Sequence, residues 1–374
     1  MTFKNKLKEL LSLGAVNISA SIILSFFWVY LASILQKTEY GELGFLFSIA
    51  NVAVTISLMG LRALVVVYES KNENVFPSSF LLVLITATIT SAVTFVLTQN
   101  VLVSVLIIGM VIFEIILSGL NGHQRYKDFS KHKVIRTVIT VIIALIGYQY
   151  FGINGILLGY FVSTLLILKD LTSLIKNKRI EFSLLKSKIP FILHAFSRRL
   201  NDVFIRWGDK LLIGSLFGFS DLANYYFAVQ FLWLLITVPQ SLSIYLIPQE
   251  SKGEKNKKIK IISFIISSLI AIVCIFTIQY PINTFFPQYE ESIILMQILS
   301  LAIIPLTIIS IQESEFFGKE NSKAILFGSL VHSGFYLFSI VVFGQVIGLI
   351  GLSIGFVLAC LLRVCFNILI RKHH

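Results

Sequence analysis

From Val101 to Leu120 the sequence reads VLVSVLIIGMVIFEIILSGL, twenty residues with one charged side chain, and runs of this kind recur along the chain. A helix crossing a bilayer needs about 20 mainly apolar residues. No crossing can leave backbone groups unpaired in lipid, so many helices joined by short loops is the expected architecture. Composition agrees. The chain is 56% hydrophobic and only 13% charged, against about 25% charged in soluble domains. An all-α integral membrane protein is expected, with no room for a soluble catalytic domain.

Apolar length and turn or charge punctuation predict twelve spans. The first six run Leu10 to Leu35, Gly41 to Tyr68, Phe76 to Thr98, Val101 to Leu120, Val134 to Phe151 and Ile153 to Ile175. The second six run Ile189 to Phe219, Asp221 to Ile247, Ile259 to Tyr280, Ser292 to Ile311, Ala324 to Phe343 and Ile347 to Ile370. The expected organisation is a six-helix lobe at 1–175, a basic linker at 176–188 and a second six-helix lobe at 189–374. Lys4, Lys6 and Lys8 precede the first run as in a signal peptide, but the run continues to Leu35 and reads as an uncleaved span.

Charge gives the orientation, because cytoplasmic loops collect Lys and Arg. With the N-terminus inside, 24 of the 31 basic residues fall on the inner side, Lys133 and Arg136 among them. Six fall within spans, and the outer loops hold only Lys37. Both termini are expected in the cytoplasm. The net charge of +12 therefore reports topology, and nucleic acid is not expected as a partner. Cys274, Cys360 and Cys365 lie in apolar segments without metal-ligand spacing, so neither a disulfide framework nor a metal site is implied. No G-x-x-x-x-G-K-[ST] phosphate loop marks an ATP motor, and no cofactor is expected.

One span departs from the pattern. HAFSRRLNDVFIRWGDK, His194 to Lys210, carries Arg198, Arg199, Asp202, Arg206, Asp209 and Lys210. If it lay on the membrane surface, every later loop would change sides and the basic SKGEKNKKIK loop would face out. It must therefore span, although each central charge costs about 2.5–3.5 kcal/mol and such charges face a bundle interior or a wet cavity. Arg198, Asp202, Arg206 and either Asp209 or Lys210 follow i, i+4 spacing, which predicts one polar stripe.

The chain also repeats. GINGILLG, with Gly152, Gly155 and Gly159, matches GLIGLSIG, with Gly348, Gly351 and Gly355, at the same intervals. A weaker echo pairs TEYGELGF (Thr38 to Phe45) with SDLANYYF (Ser220 to Phe227). Two halves of one topology are implied, and transporters place substrates at such repeat interfaces.

LQKTEYGELGFLFSIANVAVTISLMGLRALV resembles the first hairpin of polysaccharide exporters, and RRLNDVFIRWGDKLLIGSLFGFSDLANYYFAVQFLWLLITVPQSLSIYLIP resembles the start of their second half. PQYEESIILMQILSLAIIP and FGKENSKA continue the likeness. The family is the Wzx-type lipid-linked oligosaccharide flippases of the multidrug/oligosaccharidyl-lipid/polysaccharide exporter superfamily. The resemblance implies two six-helix lobes around a central cavity that opens alternately to either side. Its cargo would be an undecaprenyl-pyrophosphate-linked oligosaccharide crossing the inner membrane. The bilayer and the polymerase and chain-length proteins of the same pathway are the expected partners.

Such a cargo needs a wet, basic path, and arginine's planar fork suits phosphate. Arg62, Arg198, Arg199, Arg206 and Lys210 are the expected cargo contacts, with Arg363 a weaker candidate that could snorkel to headgroups. Asp202, Asp209 and Glu114 are the carboxylates expected to line the cavity or couple an ion. A multidrug cation antiporter of the same superfamily is the nearest rival, but it calls for an acidic cavity, and the first span has no carboxylate. A lipid II flippase moves similar chemistry with additional helices. A glycan polymerase or ligase needs a sizeable outer loop, and PINTFFPQYEE is short, so no enzymatic activity is expected.

Overall fold

The computed structural model describes residues 3–176, 179–250, 257–318 and 321–372. The basic stretch Ser251–Asn256, together with Asn177, Lys178, Lys319 and Glu320, all expected from the sequence in inner loops, lies outside the described residues.

All the regular structure among the described residues is helical. In order these are α1 (Phe3–Ile34), α2 (Lys37–Leu58), α3 (Leu61–Glu69), α4 (Phe76–Thr98), α5 (Val101–Gly122), α6 (Tyr126–Phe151), α7 (Ile153–Leu165), α8 (Leu168–Ile175), α9 (Phe182–Ser187) and α10 (Ile189–Val203). A π-helical turn at Phe204–Gly208 leads into α11 (Asp209–Phe217) and α12 (Phe219–Glu250). Then come α13 (Lys257–Thr277), α14 (Gln279–Phe285), a 3₁₀ turn at Pro287–Tyr289, α15 (Ser292–Leu301), α16 (Ile303–Gly318) and α17 (Ser322–Lys372). Among the described residues eight helical segments are long and apolar enough to cross a membrane. The last of these, Lys323–Arg371, is bent at Gly348 and so carries two arms.

Several boundaries reflect local chemistry. Gln99 closes α4 in the left-handed region, and the Asn100 side chain then accepts from the amides of Leu102 and Val103 to cap α5. The expected second span is broken, because Met59 and Gly60 take positive φ and separate α2 from α3. Helix–helix seams are fastened by hydroxyls: Ser57 to Thr90 at 2.6 Å, Thr140 to Ser163 at 2.7 Å and Ser267 to Thr307 at 2.7 Å. Such bonds contribute about 0.6 kcal/mol each inside a membrane.

The chain forms two compact units. The first comprises 1–27 and 46–203, and the second comprises 28–45 and 204–374. The hairpin that joins α1 and α2 thus packs with the C-terminal helices, while α10 packs with the N-terminal ones. In the first unit α5 is the hub, packed against α3, α4, α6, α7 and α8. In the second, α12 and α15–α16 play that part against α11, α13 and α17.

The glycine repeat reports a shared hairpin, one copy in each unit. Gly152 (φ 58°, ψ −139°) turns α6 into α7, and Gly348 (φ 61°, ψ −145°) bends α17. Only glycine adopts that conformation cheaply. Three residues on, a Cβ at Gly155 would sit 2.0 Å from the Gly147 carbonyl oxygen, and one at Gly351 would sit 2.2 Å from that of Phe343. The same interval thus serves the same turn and the same close approach of the returning helix.

Candidate functional site

Two charged clusters, one in each unit, are built on carboxylates expected from the sequence, Glu114 and Asp209. In the first unit, Glu114 stands midway along the hub helix α5, where a carboxylate needs a partner. Arg62 of α3 supplies one, with its Nη1 2.8 Å from Glu114 Oε2. Lys133 and Arg136 of α6 and Arg199 of α10 are also within electrostatic reach of that carboxylate. Lys133 in turn feels the charges of Arg62 and Arg136. Arg136 is held over the Phe113 ring at 4.2 Å, a cation–π contact that fixes the guanidinium beside α5. Four cations therefore gather around one carboxylate, a surplus of +3. Arg62 and Arg199 are exposed, whereas Glu114, Lys133 and Arg136 are half-buried.

This cluster unites three residues expected from the sequence, Arg62, Arg199 and Glu114, and adds two that charge placement assigns to an inner loop. Lys133 and Arg136 lie at the edge of the apolar run that starts at Val134, but α6 begins at Tyr126 and carries both on helix. Their i, i+3 spacing is the signal the sequence offers for this.

In the second unit, Asp209 and Lys210 are each only 2% exposed. The Lys210 ammonium donates to both Asp209 oxygens, at 2.9 and 2.8 Å. The hydroxyls of Tyr225 of α12 and Tyr336 of α17 lie 3.3 and 3.4 Å from Asp209 Oδ2 and bond each other, so with one proton apiece one donates to the carboxylate and the other to its neighbour. The expected single stripe from Arg198 to Lys210 is therefore corrected. A π turn winds more residues per turn than an α-helix and rotates the face of the residues after it, so Asp209 and Lys210 enter the core of their unit. Lys210 is committed to Asp209, and Glu114 and Asp209 are both held by cations of the chain itself.

The remaining expected residues divide between the units. Arg198 is exposed and Asp202 half-buried on α10 in the first. Arg206 lies in the π turn of the second, over the Trp233 ring at 4.7 Å. Arg363 pairs with Glu313 of α16. His332 is buried, and Trp28 and Tyr226 pack in the core, whereas Tyr30 is exposed.

Also in the second unit, Trp28–Phe45 forms a strap. Tyr40 meets Trp28 and Tyr289 edge to face and Tyr226 at a tilt, at centroid distances of 6.1, 5.9 and 5.5 Å. Gln288 Nε2 donates to the Ala32 carbonyl at 2.6 Å. Lys37 Nζ donates to Glu291 Oε2 at 2.7 Å, and the Asn224 amide donates to the same oxygen at 2.5 Å. The Lys37 ammonium first, and the Asn224 amide next, hold the Glu291 carboxyl below the usual carboxylate range. The two segments with echoing sequences, the starts of α2 and α12, meet here: a Cβ at Gly41 would lie 1.9 Å from the Phe219 carbonyl oxygen.

Helical repeats, apolar crossings and interior charge clusters define a multi-pass membrane protein of transporter-like fold. Solved structures share it. An inward-facing multidrug resistance MATE family transporter of the MOP superfamily aligns with a TM-score of 0.69 at 14% identity, over 95% of this chain and 94% of that one. The lipid II flippase MurJ, in an inward closed conformation, aligns at 0.61 and 18% identity, over 97% of this chain and 81% of that one. A MOP superfamily transporter from Pyrococcus furiosus, described as having a binding pocket of reverse polarity that suggests a different function, aligns at 0.57 and 15% identity, over 98% and 95%. No curated protein sequence matches the chain. Residues 30–260 match the model of the Polysaccharide biosynthesis protein family, and the chain belongs to that family.

Proposed function

We propose that the protein is a flippase that carries an undecaprenyl-pyrophosphate-linked oligosaccharide from the inner to the outer leaflet of the bacterial inner membrane. It would work by alternating access between two six-helix lobes, with twelve crossings and both termini cytoplasmic. The observation that carries this reading is the first-unit cluster of Arg62, Lys133, Arg136 and Arg199 around Glu114. A polyprenyl tail can stay in lipid, but a pyrophosphate cannot leave water without compensating charge. Guanidinium groups supply that charge with paired hydrogen bonds. Arg198 and Arg206, exposed in the first and second unit respectively, are further candidate contacts, and Lys210 is set aside because Asp209 holds it.

Membership of a polysaccharide biosynthesis family supports a glycan as cargo. The nearest rival, export of organic cations, is disfavoured by the same cluster, since a surplus of +3 repels them. A lipid II flippase shares the anionic chemistry, so the glycan itself must be identified. Native mass spectrometry of protein extracted from its own membranes does this. A retained lipid pyrophosphate glycan, lost in an Arg62→Gln/Arg136→Gln variant, is the expected result. Bound organic cations, or bulk phospholipid alone, would reject the reading.

A further inference from the structure

We infer that Glu114 is an internal placeholder for the cargo's phosphate charge, a competitor that the cargo displaces on binding and that helps expel it on release. The inference rests on the flippase reading of the cluster and goes beyond it, because it assigns a role to the one anion among the cations. In an empty site Arg62, Lys133, Arg136 and Arg199 repel one another. Glu114 lies within reach of all four, so it holds them together until cargo arrives. Its ion pair is built to be exchanged. Arg62 Nη1 meets Oε2 at 2.8 Å, yet the two side chains are 44% and 22% exposed, unlike the enclosed Asp209–Lys210 pair at 3% each. Arg62 also sits directly after the Met59–Gly60 break, at the start of the short helix α3, rather than in the middle of a long one.

An arriving pyrophosphate offers more charge and more acceptor oxygens than one carboxylate, so the cations turn to it and Glu114 is left facing an anion. That repulsion lowers affinity and raises the rate of release, which a transporter needs more than tight binding. The consequence separates this role from a purely structural one. Removing a structural carboxylate weakens both binding and transport; removing a competitor strengthens binding while transport falls.

The test compares the wild type, Glu114→Gln and Glu114→Asp. Inorganic pyrophosphate, measured by calorimetry on purified protein, should bind Glu114→Gln about tenfold more tightly than wild type. Glycan export in cells should fall at least about fivefold in Glu114→Gln and return in Glu114→Asp, which keeps the charge. Unchanged or weaker pyrophosphate binding by a folded Glu114→Gln protein overturns the inference. If Glu114→Gln does not fold by itself, pyrophosphate present during extraction should restore the folded fraction by taking the carboxylate's place, and failure to do so also overturns it. The cargo reading fails separately: tighter pyrophosphate binding in the variant, with no lipid pyrophosphate glycan bound by either protein, would leave the placeholder standing and remove the flippase.

Discussion

Bridging residues 37 and 291 is expected to stop transport completely, and cleaving the bridge to restore it. The experiment uses a Lys37→Cys/Glu291→Cys variant with Cys274, Cys360 and Cys365 replaced by Ala, and a cleavable bis-methanethiosulfonate reagent. Lys37 and Glu291 already touch at 2.7 Å, so a short bridge preserves the structure and forbids only departure from it. The strap Trp28–Phe45 belongs to the second unit, but it joins α1 and α2, whose remaining residues belong to the first. The proposed alternating-access cycle, in which α1 and α2 move with the N-terminal lobe, requires the strap to leave Glu291. The ion pair itself is intact at neutral pH. Glu291 has a lowered pKa when folded, so its contribution is present above the unfolded value and is lost only as pH falls through the folded one. Full export by the bridged protein would mean that the strap never leaves, and alternating access through this end would be wrong.

The second large effect concerns Asp209. Asp209→Ala leaves the Lys210 ammonium buried without its partner, and breaking a buried pair in this way costs about 3–5 kcal/mol. Thermal denaturation in detergent should show it as a loss of most folded protein at the temperature where wild type is intact. Replacing both members, as Asp209→Leu/Lys210→Met, removes the unpaired charge and should recover stability to within about 1–2 kcal/mol of wild type. The double variant then decides what the pair is for. Export near the wild-type rate means that Asp209 and Lys210 organise α11, α12 and α17. Folded protein that does not export means that the pair takes part in the cycle.

Much of this arrangement is legible in the residues. Lipid admits few ways to satisfy a backbone, so apolar length alone locates α4 at Phe76–Thr98 and the start of α5 at Val101. The glycine intervals locate two matching hairpins because a positive φ and a backbone contact leave no other residue possible. Less legible are features that depend on tertiary context. The π turn at Phe204–Gly208 carries no sequence mark, and extrapolating α-helical spacing through it puts Asp209 and Lys210 on a stripe they do not join. Arg136 is hidden by its charge, which reads as a loop residue unless Phe113 and Glu114 are known to lie beside it. The placement of 28–45 with the second unit follows from side-chain packing around Tyr40, which no local pattern encodes.

Movement of a lipid pyrophosphate glycan across a bilayer by way of the first-unit cations is tested most directly by reconstitution. The purified protein is placed in vesicles loaded with such a lipid on one leaflet, and arrival on the other is followed with a glycan-binding lectin. Transfer should be faster than in protein-free vesicles and should fall at least about tenfold in Arg62→Gln/Arg136→Gln, as two charge-assisted contacts of roughly 1.5–3 kcal/mol are lost. Equal rates with and without the protein, or undiminished transfer by the variant, would contradict that role.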